Sequence, residues 1–293
     1  MLSGATGMAA LTSLVAENRA LSQENAAQAP QEGSKPSRWF FEPRDKEMIS
    51  WLELPRNEQV LDAGCGRGNH LWLFSEQVVD GQVTGVDLNP ERIADIEARV
   101  KLSTVKDNIS GVVADVQQLP MKDNSYGCVW SSHTMHILPD PIAGVREVAR
   151  VCRKGGRVVV REDRFLDRLL PFDVGIGAPG LEERAVAEFA AWFVEDRQQR
   201  GKLPHGWLGV LQQAGLKDVK AKSFLYERQP PFTAEEIVYL RDRKIRGLIH
   251  DSISEEDKRS LEALADEQSP SYAFNRNDLH FVSVSTVYVG WKA

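Results

Sequence analysis

The sequence predicts an α/β fold: a mostly parallel sheet with helices on both faces. Short apolar runs alternate with segments of helical period through most of the 293 residues, which is the pattern of successive strand–helix–strand units. Two helices open with a capping residue followed by proline, Asn89-Pro90 and Asp140-Pro141. One apolar strand runs directly into a glycine-rich turn, Val60-Leu61-Asp62-Ala63-Gly64-Cys65-Gly66-Arg67-Gly68.

In chain order, residues 1–35 are rich in Ala, Ser, Gln, Asn and Gly and read as a mobile N-terminal arm. Met8, Leu11, Val15 and Leu21 could line one side of a short helix there, serving as a lid or a dimerisation element, and Gln31 to Ser37 reads as a linker. The folded domain spans residues 36–293. Its predicted strands are Gln59–Ala63, Gln82–Asp87, Ile109–Ala114, Gly127–Ser131 and Arg157–Arg161. After Asn89-Pro90, the residues Ile93, Ile96 and Val100 fall on one helical face. After Asp140-Pro141, the inward positions are Ile142, Val145, Val148 and Val151, and Gly155-Gly156 is expected to close that helix. Arg38-Trp39-Phe40-Phe41 is an aromatic cluster expected to pack under the first helix or to wall a site.

The last third differs. Residues 164–204 carry no clear strand, although Glu182 to Gln199 has helical character. His205–Gly215 reads as a helix and Val219–Tyr226 as a strand. Residues 230–278 hold two helices whose starts, Thr233 with Glu236 and Ser254 with Asp257, have capping-box spacing. The chain closes on an alternating strand, Phe281–Trp291. Regions 164–204 and 230–278 are therefore read as cap insertions over the ligand side of the sheet. Trp192, Phe193, Tyr239, Tyr272 and Phe274 are candidate walls of the enclosed space.

Composition narrows the function. The net charge is −6 and no basic run is present, so nucleic acid is not the expected partner. No run of about 18 apolar residues exists, so no membrane span is expected. The three cysteines, Cys65, Cys128 and Cys152, form no CxxC pair, so neither a zinc site nor a disulfide framework is indicated. Together with an N-terminus whose first basic residue is Arg19, this points to the cytoplasm.

The glycines carry the chemistry. Glycine lets the backbone bend sharply and approach a ligand closely, and in open α/β sheets ligands lie beyond the carboxyl ends of the strands. Dinucleotide sites use G-x-G-x-x-G; here that last position is Asn69, and the spacing is G-x-G-x-G. Asp62 stands just before the turn, where a carboxylate suits a cationic ligand better than a pyrophosphate. Asp87 ends the second strand 19 positions after Gly68, where it can accept from both hydroxyls of a ribose. At the end of the third strand, Asp115 can accept from an exocyclic amine and the Val116 N–H can donate to a ring nitrogen. Leu88 and Val116 are the candidate sandwich for a planar base.

These elements resemble the class I S-adenosylmethionine-dependent methyltransferases, most closely those of ubiquinone and menaquinone biosynthesis and the related natural-product enzymes. The resemblance covers about residues 58–163 and runs on through Lys122 to Val129, Met135-His136-Ile137-Leu138-Pro139-Asp140-Pro141 and Arg146 to Gly156. It implies a Rossmann-like class I methyltransferase fold with a seven-stranded, mostly parallel sheet. The last strand is implied to be antiparallel, inserted between the fifth and sixth. It implies S-adenosyl-L-methionine as cofactor, with Asp62, Gly64, Cys65, Gly66 and Gly68 on the methionine part, Asp87 on the ribose, and Asp115 with Val116 on the adenine. Ser131 and Ser132 would lie beneath the sulfonium.

For catalysis the candidates are His133 and His136 after the fourth strand, and Glu162 or Asp163 after the fifth. Some sugar O-methyltransferases of similar sequence carry two adjacent histidines in this loop and an acid after the fifth strand; here the second of those positions is Ile137. Cys65 is not expected to act as a nucleophile, because methyl transfer from a sulfonium needs no covalent enzyme intermediate. The fourth strand lacks the Asn/Asp-Pro-Pro-Tyr signature of many nucleobase and amide N-methyltransferases, so the expected acceptor is a small molecule, secondary-metabolite or quinone-like, methylated at O, N or C. A nicotinamide-dependent oxidoreductase is the alternative enzyme and a non-catalytic cofactor-binding scaffold the alternative role. A homodimer through the arm or the cap is compatible with the sequence, and no metal is expected.

Overall fold

The structure, a computed structural model, describes residues 37–103, 108–162, 167–200 and 206–293, with only the backbone course given for 37–39 and 192–200. The expected N-terminal arm, Asp163, His205 and the side chains of Trp192 and Phe193 lie outside the described residues.

Seven strands form one sheet in the order β3-β2-β1-β4-β5-β7-β6. They are β1 (Gln59–Ala63), β2 (Gln82–Asp87), β3 (Ile109–Val113), β4 (Tyr126–Ser132), β5 (Cys152–Arg161), β6 (Lys217–Arg228) and β7 (Phe281–Trp291). All neighbours pair in parallel except β7, which is antiparallel to both β5 and β6. The order reverses between β1 and β4, which opens a crevice above their carboxyl ends.

Capping chemistry sets the helices. In α3 (Pro90–Leu102) the Asn89 side chain accepts from the Glu91 N–H, and in α4 (Pro141–Val151) Asp140 accepts from the Ala143 N–H. Gly155 and Gly156 do not close α4, contrary to expectation. The helix ends at Val151 and β5 begins at once with Cys152. The glycines instead make an irregularity inside the strand: Cys152 pairs with Tyr126, but the next β4 partner, Cys128, faces Arg157. Gly155 takes φ 71°, and a Cβ on Gly156 would sit 2.8 Å from the Gly127 carbonyl oxygen.

The aromatic cluster opens a helix of its own, α1 (Ser37–Trp51), and its Phe40 and Phe41 pack away from the helix after β1, while the side chains of Arg38 and Trp39 lie outside the described residues. The buried positions of α1, Phe40, Arg44, Asp45, Met48 and Ile49, follow a helical spacing. Met48 and Ile49 join Phe74, Trp130 and Phe224 in one apolar cluster, whereas Phe40 joins Leu169, Leu170, Tyr239 and Phe281 in another. Each such fully buried side chain contributes roughly 1.5–3 kcal/mol. Between the two clusters α1 carries a polar step, Arg44-Asp45.

Both cap insertions leave the carboxyl edge of the sheet. The first contains α5 (Leu181–Arg200), and α6 (Trp207–Gln213) then leads into β6. In the second, α7 (Ala234–Tyr239) starts with a complete capping box between Thr233 and Glu236, while α8 (Glu255–Ala265) has only the Ser254 half. Between them α7 continues as a six-residue π-helical stretch, Leu240–Ile245. The buried Glu182 accepts from the N–H groups of Leu169 and Leu170 and so fastens the first insertion; burial pushes its carboxyl up to about 7 despite those bonds. β5 meets β7 no further than Arg161 opposite Val287, yet β6 and β7 stay paired out to Arg228 and Phe281. Residues 281–286 therefore overhang the end of β5. Among the described residues no helix is long and apolar enough to cross a membrane.

Candidate functional site

The glycine turn follows β1 and leads into α2 (Asn69–Gln77). Gly64, Gly66 and Gly68 all adopt left-handed backbone, with φ of 82°, 55° and 76°. The N–H groups of Gly64 and Cys65 both donate to the Val86 carbonyl at 2.8 Å, and the Gly66 N–H donates to the Asp87 carboxylate at 2.9 Å. A Cβ at Gly64 would meet Thr134 Oγ1 at 2.2 Å, whereas a Cβ at Gly66 would meet nothing within 4 Å. Gly64 is small because protein presses on it. Gly66 faces open space, as expected of backbone that a ligand approaches.

Asp62 is 1% exposed, and among the described residues neither of its carboxylate oxygens has a hydrogen-bond partner. Burial, and then the nearby Asp87 charge, push its carboxyl up to about 8. An isolated buried carboxylate costs several kcal/mol. A donor arriving with a ligand would relieve that cost, and an ammonium group beside the open Gly66 cradle fits. Asp87 is free of helix capping, since Asn89 does that work; it accepts from the Gly66 and Asn89 N–H groups and lies 3.4 Å from Arg92. Burial raises the Cys65 thiol, with Asp62 and Asp87 adding to the effect, so it is no ready thiolate.

At the third strand, Asp115 accepts from the N–H of Gln117 in a tight turn. Val116 is buried in the apolar cluster that holds Val86 and Leu119, while Leu88 is 69% exposed. Of the two expected walls for a planar base, one is an open side chain and the other belongs to the core. At the fourth strand, Ser131 is buried and its hydroxyl donates to the Ala63 carbonyl at 2.9 Å. Ser132 is half-buried, and its carbonyl accepts from Thr134 Oγ1 at 3.1 Å.

The three catalytic candidates converge. His133 is exposed, has φ 51°, and donates its N–H to the Arg161 carbonyl at 3.0 Å. The His133 and His136 rings lie 6.5 Å apart. The buried Glu162 reaches across from the end of β5 and accepts from the His136 N–H at 3.3 Å; its other oxygen lies 2.7 Å from His136 Nδ1. A carboxylate on Nδ1 fixes the ring orientation and favours the tautomer in which Nε2 takes up a proton.

A buried polar layer beside this pair was not anticipated. Arg161 Nε donates to Ser285 Oγ at 2.8 Å, and Arg161 Nη1 lies 3.4 Å from His70 Nε2 and 3.8 Å from Asp45. Arg44 donates to Asp45 and, at 2.8 Å, to Ser283 Oγ. His70 Nε2 lies 3.5 Å from Asp45. Burial would raise the Asp45 carboxyl, but the His70 contact and the charges of Arg161, His70 and Arg44 outweigh it and hold it at about 2. Burial pushes the His70 imidazole toward its neutral form. Signals for this layer do exist in the sequence. Arg161 ends the apolar run Val158-Val159-Val160, and His70 stands two positions after Gly68.

Comparison with known proteins places these features in context. Residues 61–160 match the family described as "Methyltransferase domain". The chain is 30% identical over 193 residues to the demethylmenaquinone methyltransferase of Staphylococcus epidermidis, covering 61% of this chain and 76% of that one. It is 27% identical over 203 residues to the 27-O-demethylrifamycin SV methyltransferase of Amycolatopsis mediterranei, covering 69% and 70%. Three other curated relatives are covered over 42%, 60% and 49% of their own length. In fold, the phosphoethanolamine N-methyltransferase 2 of Haemonchus contortus, solved with S-adenosyl-L-methionine, superposes with a TM-score of 0.52 at 16% identity, covering 87% of this chain and 55% of that one.

Proposed function

This chain belongs to the class I S-adenosylmethionine-dependent methyltransferases, and from that premise we propose that it methylates a hydroxyl group of a small molecule held between the strand ends and the cap. The cofactor is S-adenosyl-L-methionine, which when bound supplies an electrophilic methyl group. Asp62 holds the ammonium of its methionine part. The N–H groups and open face of the Gly64–Gly68 turn accommodate the amino-acid chain, and Asp87 accepts from the ribose hydroxyls. Asp115 and the Val116 N–H read the adenine, with Leu88 over the ring. Ser131 and Ser132 form the floor beneath the reacting atoms.

The observation that carries the acceptor reading is the His136–Glu162 pair. A hydroxyl becomes a competent nucleophile as it loses its proton, and a histidine oriented by a carboxylate is suited to take it. Glu162 accepts from Nδ1–H, Nε2 receives the acceptor proton, and the carboxylate stabilises the imidazolium that results. His133 lines the approach. The cap excludes water, and alignment supplies much of the remaining acceleration. The rifamycin-type relative, named for an O-demethyl substrate, supports this reading. A hydroquinone acceptor is the second reading, favoured by the demethylmenaquinone relative; the same base would take a phenolic proton. Membership of the family sets the nicotinamide-dependent alternative aside. The three unpaired, buried cysteines suit a reducing cytoplasm.

The test is release of S-adenosylhomocysteine across a panel of phenols, hydroquinones, sugar hydroxyls and amines, repeated with His136→Asn and Glu162→Gln. Turnover of hydroxyl acceptors that falls about 10²–10⁴-fold in His136→Asn, at unchanged S-adenosylhomocysteine affinity, is the expected result. Turnover confined to amines, or variants as active as the parent, would refute it. Binding without turnover of any acceptor would return the scaffold reading.

A further inference from the structure

Glu162 can orient His136 only if the end of β5 is itself held, and the pairing of β5 with β7 runs out there. The last β5–β7 pair is Arg161 with Val287, and the Glu162 N–H bonds to the Thr286 carbonyl. What fixes this end is concentrated on one residue. The Arg161 carbonyl accepts from the His133 N–H, and its buried side chain meets Ser285 on β7, His70 at the start of α2 and Asp45 on α1. Arg161 and Glu162 are consecutive, and their side chains take different partners. One is gripped by α1 and α2, while the other grips His136.

We infer that Arg161 is a positioning residue: its side chain clamps the end of β5 between α1, α2 and β7, and thereby sets where Glu162 holds His136. The members of the clamp are all buried, and His70 packs edge-on against Trp130 with ring centroids 5.2 Å apart. A planar, always-charged guanidinium suits the task, since its donors leave in fixed directions toward a serine hydroxyl, an imidazole and a carboxylate. Lysine at this position offers one rotating point charge and would satisfy fewer partners. The inference rests on the His136–Glu162 pair acting as proposed above.

The test reads the imidazole directly and needs no acceptor. In the full chain, ¹⁵N resonances of the His136 ring report which nitrogen carries the proton, and calorimetry with S-adenosylhomocysteine reports the cofactor side. In the parent the two ring nitrogens are expected to be well separated, with the proton on Nδ1, and Glu162→Gln should draw them together. Arg161→Gln should draw them together as well, and Arg161→Lys should do so less, while S-adenosylhomocysteine affinity stays within about twofold. Because Arg161→Gln strips a buried carboxylate of one cation and endangers the fold, Ser285→Ala is the second variant; it removes one hydrogen bond to Arg161 and is expected to shift the same resonances in the same direction. If Glu162→Gln moves the resonances but Arg161→Gln and Ser285→Ala, both folded, do not, the clamp is refuted. An Arg161→Gln protein that loses tenfold or more of its S-adenosylhomocysteine affinity with His136 unmoved also refutes it, and assigns Arg161 to the cofactor (a loss of about 1.4 kcal/mol). Failure of Glu162→Gln to move them would overturn the base reading and the clamp with it.

Discussion

As the proposed partner of the ligand ammonium, Asp62 would make cofactor binding a proton-linked event. In the free protein its carboxyl is raised to about 8 by burial and by Asp87, and among the described residues neither oxygen meets a donor. Below pH 8 the group holds a proton; beside a ligand ammonium it must give that proton up. Binding therefore releases a proton, and affinity rises as pH rises toward 8. At pH 6, two units below that value, deprotonation costs about 2.7 kcal/mol at about 1.36 kcal/mol per unit, which is close to a hundredfold in Kd. Above pH 8 the protein gains nothing more, while the ligand's own α-amino group, with an ordinary pKa of about 8, loses its charge. The affinity profile should peak near pH 8, with an acid limb of close to one decade per pH unit. Calorimetry at pH 7 in two buffers of different ionisation enthalpy counts the released proton. Asp62→Asn should abolish the acid limb, and methylthioadenosine, which lacks the amino-acid part, should show no limb with the parent protein. A flat profile between pH 6 and 8, with no proton released, would refute Asp62 as partner of the ammonium.

The same carboxyl weakens the free protein. Its folded pKa lies above its unfolded one, so the stability it permits is full at low pH and is lost as pH rises toward 8. Asp62→Asn should accordingly raise the Tm of the free protein at pH 7 by several degrees, for a gain of at most about 4 kcal/mol, and the advantage should shrink toward pH 4 in thermal melts. Gly64→Ala and Gly66→Ala should separate fold from binding. The first collides with Thr134 at 2.2 Å and should lower the Tm sharply, whereas the second meets nothing within 4 Å and should lose about 1–2 kcal/mol of stability for its left-handed backbone together with most S-adenosylmethionine affinity. Glu182→Ala leaves the N–H groups of Leu169 and Leu170 without their shared acceptor. Hydrogen exchange should then show about 1–3 kcal/mol less protection at those two amides, and unchanged exchange would refute the fastening.

Most of the sheet was legible because its signals are local. Asn89-Pro90 and Asp140-Pro141 cap the helices they announce, and the strand ends at Ala63, Asp87 and Trp291 fall where alternation and turn residues put them. Two glycines misled because their meaning depends on a partner: Gly155 and Gly156 answer the close approach of Gly127 and Lys292 rather than a helix end. Helix α1 was missed for a similar reason. Two of its buried positions are Arg44 and Asp45, so its core-facing stripe is interrupted by charge and has no apolar period to detect. The candidate cofactor residues were readable from motif spacing, and the His136–Glu162 pairing was half-readable as two candidates 26 positions apart. The clamp behind them joins α1, α2, β5 and β7, and no single stretch of sequence contains it.

The overhang of β6 and β7 beyond β5 has a consequence for how such a protein can change. The edge formed by β1, β2 and β3 carries shorter connections, and its geometry is tied down by hydrogen bonds from the N–H groups of the turn to the Val86 carbonyl and the Asp87 carboxylate. Both long insertions are rooted instead on the opposite half, at the end of β5 and on the projecting ladder from Ser223–Thr286 to Arg228–Phe281. The molecule thus resembles a fixed socket beside an exchangeable jaw. Changes out in the jaw leave the turn's hydrogen bonds to Val86 and Asp87 untouched, whereas changes at its root reach the helix after the turn through Arg161 and His70.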